Sequence, residues 1–400
     1  MEPIPVKIRL YPAYYPKFRC IAQDCRNDCC HDWNIFFSKK DYLKIKRAEK
    51  SPQLEQLTAQ AMGRIPDGER TEDRYGEFHT HSGACPFQNE EGLCRLQLEL
   101  GEGALPNVCR TFPRLHRFTP MGRQEALSTG CEAVVQLLWD APEGLDFVED
   151  PLEKQQWKGL QLGEKWDQYP IFHSAVIDIL QARQFSIPRR LLILGLMLEK
   201  AAKEWDNLDA ARWQSQVELL LGDPLLTESL EQLPGNQKAF LAENMRTAAL
   251  IAAGEGSFLL KTLEQSGAFF NSGTDAAPHV LFQETFFEEA SQAFRETFGD
   301  IDYFFENLLV NTAFLTAVPS LTDPEQLWKS YVTLCGTYSF FRFLTILCCG
   351  KEPTKEKLFQ GVVLASRALL HNKDRQARLR DQFFQTGSQT LAHMAVLVKE

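Results

Sequence analysis

The stretch "CIAQDCRNDCCHDW" (residues 20–33) places four cysteines within eleven residues, and two of them, Cys29 and Cys30, are adjacent. So many thiols in a short segment indicate either a disulfide framework or a metal site. Disulfides persist in oxidising compartments, whereas thiols in a reducing cytosol more often bind metals or take part in catalysis. The rest of the sequence therefore decides how this segment is interpreted.

Composition is that of a globular protein, and the lack of a secretory signal or membrane-spanning run favours a cytoplasmic location. The chain has 400 residues, 44% hydrophobic and 24% charged, as is typical of globular proteins, and a net charge of −10 that argues against a general nucleic-acid binder. The N-terminal "MEPIPVKIRLYPAYYPKF" lacks the apolar core of a secretory signal, and the longest apolar run, "LLILGLML" (residues 191–198), is too short to span a bilayer. We therefore expect no nucleic-acid partner and no membrane partner.

The cysteines divide the chain into two parts. Eight of the eleven lie between Cys20 and Cys131, in a region where proline and glycine are frequent and helical periodicity is weak. From about residue 165 onward, amphipathic helices follow one another. The sequence thus predicts a mainly α protein, with an irregular cysteine-rich metal-binding region over residues 1–150 and a multi-helix domain over residues 151–400. The charged segment 145–165 is interpreted as a linker or connecting segment.

Local patterns predict several individual elements. Ser38 is suited to cap a helix over the following lysine-rich run, "CEAVVQLLWD" (residues 131–140) is typical of a helix, and "YGEFHTH" (residues 75–81) of a short strand. Gly222 and Gly254 are interpreted as helix ends. The remaining cysteines lie among apolar residues of predicted helices and are expected to be packed in the core: Cys335, Cys348 and Cys349.

The spacing of the N-terminal cysteines suits a metal site without specifying its ligands. Thiolates bind zinc or an iron–sulfur cluster, and four of them complete either site, which would leave four of the eight unused. Paired C-x₂-C knuckles of a zinc ribbon are absent, which favours the larger cluster. The neighbouring side chains of Cys29 and Cys30 point in different directions unless the backbone turns sharply, so both can bind one metal only with strain. The alternatives are that one ligates while the other packs, or that each serves a different site. The nearby histidines are weaker ligand candidates: His31, His79 and His81.

Other catalytic motifs are missing. "ELGEGALP" and "AAGEGSF" contain G-x-G, but neither follows a strand as a dinucleotide-binding turn requires. There is no P-loop and no G-x-S-x-G. The C-x₃-C-x₂-C motif of radical S-adenosylmethionine enzymes would fit Cys25 and Cys29, but Asp32 occupies the position of its third cysteine. The pattern alone indicates a metal-binding, mostly helical, cytoplasmic protein.

The order of the cysteine motifs adds a resemblance. "FRCIAQDCRNDCCHDWNIFFSKKDY" is followed by "YGEFH", "CPFQNEEGLCRLQLELGEGAL", "NVCRTFPR" and "STGCEA". This series resembles the flagellin lysine-N-methylase family of the FliB type, over the first third of the chain, and a broader group of zinc- or iron-chelating proteins shares a related cysteine module. The chain departs from the family pattern at Asp32, where relatives tend to have glycine, and at Glu132, where a proline is often found.

The resemblance implies transfer of methyl groups from S-adenosylmethionine to lysine amines of flagellin or another protein. It also implies a [4Fe–4S] cluster in the N-terminal region, with zinc as the alternative metal. Three thiolates would leave one iron open to chelate S-adenosylmethionine, whereas four would make the cluster structural or redox-sensing. The implied cluster ligands are Cys20, Cys25, Cys29, Cys30, Cys85, Cys94 and Cys109, with Cys131 behind them.

Side chains near these motifs suggest further roles. Arg110 and Arg114 lie close to Cys109 and are suited to hold the cofactor carboxylate or an acidic partner. Trp33 and Tyr75 are suited to line a lysine channel or to pack in the core. No residue is assigned as the catalytic base. The competing hypothesis is a non-enzymatic iron–sulfur or zinc protein that senses redox state or binds a protein partner.

Overall fold

The computed structural model describes residues 4–31, 35–79, 84–157, 163, 165–221, 269–271, 280–282, 284–371 and 373–399. Helices dominate, and the mainly α class predicted from the sequence is confirmed. The strands are β1 (Ile4–Pro12), β2 (Phe36–Phe37), β3 (Met62–Arg64), β4 (Gly76–Phe78), β5 (Arg114–Thr119), β6 (Gly122–Leu127), β7 (Phe147–Trp157), β8 (Phe269–Asn271) and β9 (Val280–Phe282).

The helices fall into two sets. Short helices accompany the cysteine-rich region: α1 (Lys39–Arg47), α2 (Pro52–Ala61), α3 (Arg95–Leu100), α4 (Asn107–Thr111) and α5 (Glu132–Trp139). The helical domain contains α6 (Tyr169–Leu180), α7 (Ile187–Lys203), α8 (Ala210–Leu221), α9 (Glu284–Phe298), α10 (Asp302–Thr316), α11 (Pro324–Cys349), α12 (Lys355–Leu369), α13 (Lys373–Gln385) and α14 (Leu391–Val398).

Capping side chains explain where several helices begin. The hydroxyls of Ser38, Ser51 and Thr354 and the carboxylate of Asp323 each accept the backbone N–H of the residue three positions later. Such caps satisfy an amide that has no partner within its own helix. The predicted role of Ser38 is confirmed, and so is the predicted helix after Cys131, which begins as α5 at the next residue.

The helical domain is built around α11, its longest helix. By length and composition α11 could cross a membrane, but 89% of its most apolar window is buried inside the protein, as in a core helix. Close approach to α12 is possible because Gly361 has no side chain: a Cβ there would lie 2.7 Å from the Thr345 Cα. The predicted packing of the three C-terminal cysteines is confirmed, since all are at most 4% exposed: Cys335, Cys348 and Cys349.

A four-stranded sheet in the order β5-β6-β1-β7 joins the two parts of the chain. β1 runs parallel to β6 and antiparallel to β7, where Tyr11 pairs with Val148. The predicted linker over residues 145–165 is therefore wrong in its first half, because residues 147–157 form β7. Its charged side chains look like those of a linker because β7 is an edge strand. The division of the chain at residue 150 stays a prediction, and β7 crosses that position.

The described residues also form two smaller sheets. The order β2-β4-β3 surrounds the core of the cysteine-rich region, and the predicted strand near residue 77 is confirmed as β4. β8 pairs with β9, and α9 begins at Glu284. Gly222 and the predicted helix ending at Gly254 lie outside the described residues.

The loop "STG" (residues 128–130) joins the end of β6 to the helical domain. Ser128 Oγ lies 2.6 Å from His371 Nε2, and Thr129 donates a 2.9 Å hydrogen bond to Ser366 Oγ. Gly130 packs so closely that a Cβ would lie 2.5 Å from the His371 ring. This loop fixes the position of α5, which begins two residues later.

We expect Gly130→Ala to lower the free energy of unfolding by about 1–3 kcal/mol, because the new methyl group must displace the His371 ring. Urea unfolding followed by circular dichroism measures the change. Gly103→Ala is the matched control, because a Cβ at Gly103 meets no atom within 4 Å. Equal stability of the two variants would contradict the close packing described here.

Candidate metal centre

Five of the predicted cysteines meet within the cysteine-rich region. The Cys30 thiol hydrogen-bonds with both Cys29 and Cys85, and the Cys85 amide donates a 2.7 Å hydrogen bond to the Cys30 carbonyl. Cys94 and Cys109 pack against the same apolar core as Cys30. We call these five residues the inner thiol group.

Local structure brings distant parts of the chain to this group. An antiparallel bridge between His31 and Ala84 places the CC pair beside Cys85. Cys94 caps α3 and forms a second bridge with Gln88, which folds the segment "CPFQNEEGLC" back on itself. Cys109 lies in the single turn and a half of α4. Three separate segments therefore supply the inner thiol group.

Burial and hydrogen bonding set the protonation of these thiols. The pKa of Cys30 is raised by its hydrogen bonds to Cys29 and Cys85, and those same bonds lower the pKa values of these two neighbours. Burial raises the pKa values of Cys94 and Cys109, and the nearby Cys29 and Cys85 add to the effect. A bound cation would offset the cost of charging these buried groups, so metal binding would release protons.

The other three cysteines do not pack against this core, and we call them the outer thiol group. Cys20 is exposed, Cys25 Sγ lies 3.9 Å from Glu132 Oε2, and Cys131 immediately precedes α5. Burial raises the pKa of Cys25 to about 12 and that of Cys131 to about 11. Cys29 and Cys20 both raise the pKa of Cys131, which places the outer group near the CC pair.

Glu132 holds the cysteine loop. Its Oε2 atom accepts hydrogen bonds of 3.0 Å from the backbone amides of Arg26 and Asn27 and from the Asn27 side chain. The residue is only 5% exposed, so these bonds satisfy a buried carboxylate. The chain between Cys25 and Cys29 is thereby fixed to the start of α5.

Arg367 reaches the same loop from the helical domain. Its guanidinium donates to the carbonyls of Asn27 at 2.6 Å and of Gly130 at 3.0 Å. Its positive charge contributes to the lowered pKa of Cys29. Within the described ranges, no carboxylate forms an ion pair with Arg367, and its charge acts on the Cys29 thiol.

The donor set suits zinc or iron, because soft thiolates are the preferred ligands of Zn²⁺ and of iron–sulfur clusters. In the described part of the chain, however, no three His, Cys, Asp or Glu side chains are already placed to hold one metal ion. Metal binding would therefore need thiol side chains to rotate towards a common centre. Four of the five thiols share one apolar core, and the fifth, Cys29, is joined to them by its hydrogen bond with Cys30.

The histidine predictions have separate outcomes. His31 Nδ1 lies 2.8 Å from Asp28 Oδ1, so this ring is held by its own loop. The His79 ring packs over Gly63, where a Cβ would lie 2.3 Å from its Nε2 atom. His81 and Trp33 lie outside the described residues.

The structure does not test the roles predicted for Arg110, Arg114 and Tyr75. Arg110 donates to Asn107 Oδ1 at 2.9 Å, and the Arg114 guanidinium lies 5.0 Å from the centre of the Phe18 ring. Tyr75 packs edge-on against Tyr42 with ring centres 5.3 Å apart. Cofactor binding by the two arginines stays a prediction.

Two family models match separate parts of the chain, one in the helical domain and one in the cysteine-rich region. Residues 173–397 match the model of the FliB lysine N-methylase C-terminal domain, which is more than half of the chain. The chain belongs to the FliB lysine N-methylase family. Residues 19–132 match a zinc- or iron-chelating domain whose name, CxxCxxCC, describes its cysteines. No solved structure matches.

Two similar proteins are from Salmonella. The chain is 30% identical over 149 residues to the lysine-N-methylase of Salmonella typhimurium, which covers 36% of this chain and 35% of the relative. It is also 30% identical over 143 residues to the flagellar biosynthetic protein FliU of Salmonella muenchen, covering 34% of this chain and 80% of the relative. The alignment thus spans about a third of the curated lysine-N-methylase.

Sequence reasoning found the thiols but missed the two residues that hold them. Glu132 stood inside the quoted "STGCEA" segment, and a carboxylate directly after a cysteine at a helix start was the available signal. Arg367 gave none, because it lies 340 residues from Asn27. Both act through long-range contacts that no local pattern encodes.

We expect each of three variants to weaken metal binding by more than about tenfold: Cys85→Ser, Cys94→Ser and Cys109→Ser. Loss of a residue that only supports a ligand already lowers metal affinity by about tenfold or more, and loss of a ligand should cost at least as much. Metal per chain after anaerobic purification, measured by mass spectrometry, tests this. Cys348→Ala in the helical core is the control and should keep its metal. Retention by the Cys109 variant together with loss in Cys131→Ser would assign the metal to the outer group instead.

We expect Glu132→Ala to lower the free energy of unfolding by about 2 kcal/mol, because it leaves buried N–H groups without an acceptor. Glu132→Gln keeps one acceptor oxygen and serves as the matched control with a smaller loss. Chemical unfolding compares the two, and metal content should fall in the same order. Wild-type stability in the alanine variant would show that the carboxylate does not hold the loop.

Proposed function

We propose that this protein is an S-adenosylmethionine-dependent lysine N-methyltransferase whose substrate is flagellin. The single observation that carries the proposal is the family match over residues 173–397, the part of the chain that forms the helical domain. The names of the relatives, a lysine-N-methylase and a flagellar biosynthetic protein, support the reaction and the substrate.

The proposal includes a [4Fe–4S] cluster in the cysteine-rich region, with zinc as the alternative. The inner thiol group is the set of residues that would hold it, and the match of residues 19–132 to a zinc- or iron-chelating domain supports a metal there. A thiolate-bound centre would contribute folding free energy to a region whose own apolar core is small. A cytoplasmic location belongs to the same proposal.

The reaction is a methyl transfer from sulfur to nitrogen. The lone pair of a neutral lysine amine forms the new N–C bond, the C–S bond breaks with its electrons going to sulfur, and the sulfonium becomes a neutral thioether. The nitrogen is left with an extra proton, which passes to a base or to solvent. The protein must therefore hold donor and amine in line and favour the neutral amine.

The relative placement of the two parts of the chain suits such a reaction. Glu132 and Arg367 fix the cysteine loop between α5 and α12, so Cys25 and Cys29 lie where the cysteine-rich region meets the helical domain. A protein substrate requires an accessible surface, and Cys20 and Arg26 beside this junction are exposed. This junction is where we expect donor and substrate to meet.

The experiment is a methylation assay with anaerobically purified protein. Flagellin is incubated with methyl-labelled S-adenosylmethionine, and mass spectrometry locates the label on lysine side chains. Flagellin with acetylated lysines is the control and should take up none. We expect label on lysine nitrogen and release of S-adenosylhomocysteine in equal amounts.

Two outcomes would overturn the proposal. Metal-loaded protein that leaves both flagellin and the donor unchanged would favour the alternative of a non-enzymatic metal protein. Label on an unrelated lysine-rich protein but not on flagellin would retain the reaction and reject the substrate. The colour of the purified protein separates the two metal assignments. Visible absorption would indicate the iron–sulfur cluster, whereas colourless, zinc-loaded protein would indicate zinc.

A further inference from the structure

A cavity of about 470 Å³ lies directly beside the cysteine loop. One wall comes from the segment that carries Cys20 and Cys25, and the others come from α5 and from the start of α12. Its volume falls within the range of small-molecule sites. No predicted site residue lines it, so the metal centre does not account for its presence.

The charges that line the cavity are unbalanced. Arg26 is paired with Glu132 at 3.6 Å and with Glu356 at 3.3 Å. Among the described residues, neither Lys17 nor Arg19 forms an ion pair with a carboxylate. The lining as a whole carries four cations and three carboxylates, a net charge of +1: Lys17, Arg19, Arg26 and Lys355 against Asp24, Glu132 and Glu356. A ligand that matches this set carries a carboxylate and one ammonium group.

Lys355 is held at the cavity by aromatic rings. Its ammonium lies 5.3 Å from the centre of the Trp139 ring and 5.1 Å from that of Phe359. Cation–π attraction keeps the charge in place without neutralising it. Because α12 begins at this residue, its backbone N–H groups add positive potential to the same wall.

The floor of the cavity is apolar. Leu137 and Phe359 face it from α5 and α12, and Ile21 is an exposed apolar residue at its edge. Such a floor suits an aliphatic or aromatic group attached to the charged end of a ligand. The cavity thus combines recognition of an α-amino acid with room for an apolar body.

We infer that this cavity binds the methyl donor, with the donor's carboxylate on Lys355 and Lys17 and its ammonium on Asp24. This inference rests on the proposed function, because S-adenosylmethionine is an α-amino acid joined to a nucleoside. It places the carboxylate on residues other than Arg110 and Arg114. The donor would then lie on the side of the cysteine loop that faces α5 and α12.

Isothermal titration calorimetry with S-adenosylhomocysteine tests the inference in the full-length protein. Lys355→Met should weaken binding by about tenfold, the usual value of one charged hydrogen bond. Leu137→Glu should weaken it further, because it places a carboxylate on the apolar floor. Lys357→Met is the matched control on α12: Lys357 donates to the Glu352 carbonyl outside the cavity, and its loss should leave the affinity unchanged.

A second probe separates the two ends of the ligand. Adenosine lacks the amino-acid part, so its weaker binding should not respond to Lys355→Met. Equal affinity of wild type, Lys355→Met and Leu137→Glu for S-adenosylhomocysteine would overturn the inference, and so would failure of the wild type to bind it. If binding depends on these residues but no lysine is methylated, the proposed function falls and the cavity assignment stands.

Discussion

One buried carboxylate fixes the cysteine loop to α5, which packs against α10 and α12 of the helical domain. Glu132 satisfies the backbone amides of Arg26 and Asn27, which have no partner in regular secondary structure. A segment with four cysteines in eleven residues and only a short 3₁₀ turn has few hydrogen bonds of its own. Without an external acceptor, the positions of Cys25 and Cys29 relative to the other thiols would not be fixed.

Arg367 supplies the opposite charge on the other side of the same loop. It binds the carbonyls of Asn27 and Gly130, so the loop is held by a donor and an acceptor from different helices. Together with the His371 ring, from which a Cβ at position 130 would lie 2.5 Å, this arrangement leaves room there only for a glycine. It also explains how an irregular cysteine-rich region acquires a defined place on a helical domain with which it shares little periodic structure.

Local patterns predicted the helices because their hydrogen bonds are local. Ser38 could be identified as a cap from its neighbours alone, and so could the helix after Cys131. β7 could not be identified in this way, because its partner β1 lies about 140 residues earlier and its exposed edge carries the charges of a linker. The clustering of thiols was visible in the sequence because four of them are neighbours along the chain. Their division into two groups depends on the bridge between His31 and Ala84, which lie far apart in the sequence.

The sequence by itself determined the mainly α class, the cysteine-rich metal-binding character of the first third and the family. These follow from residue types and spacings that the chain carries locally. Only the tertiary structure decided which thiols share a core, which carboxylate and guanidinium hold the loop, and where a charged cavity opens beside it. Those features join residues 17–26, 132–137 and 355–367, which only the folded chain brings together.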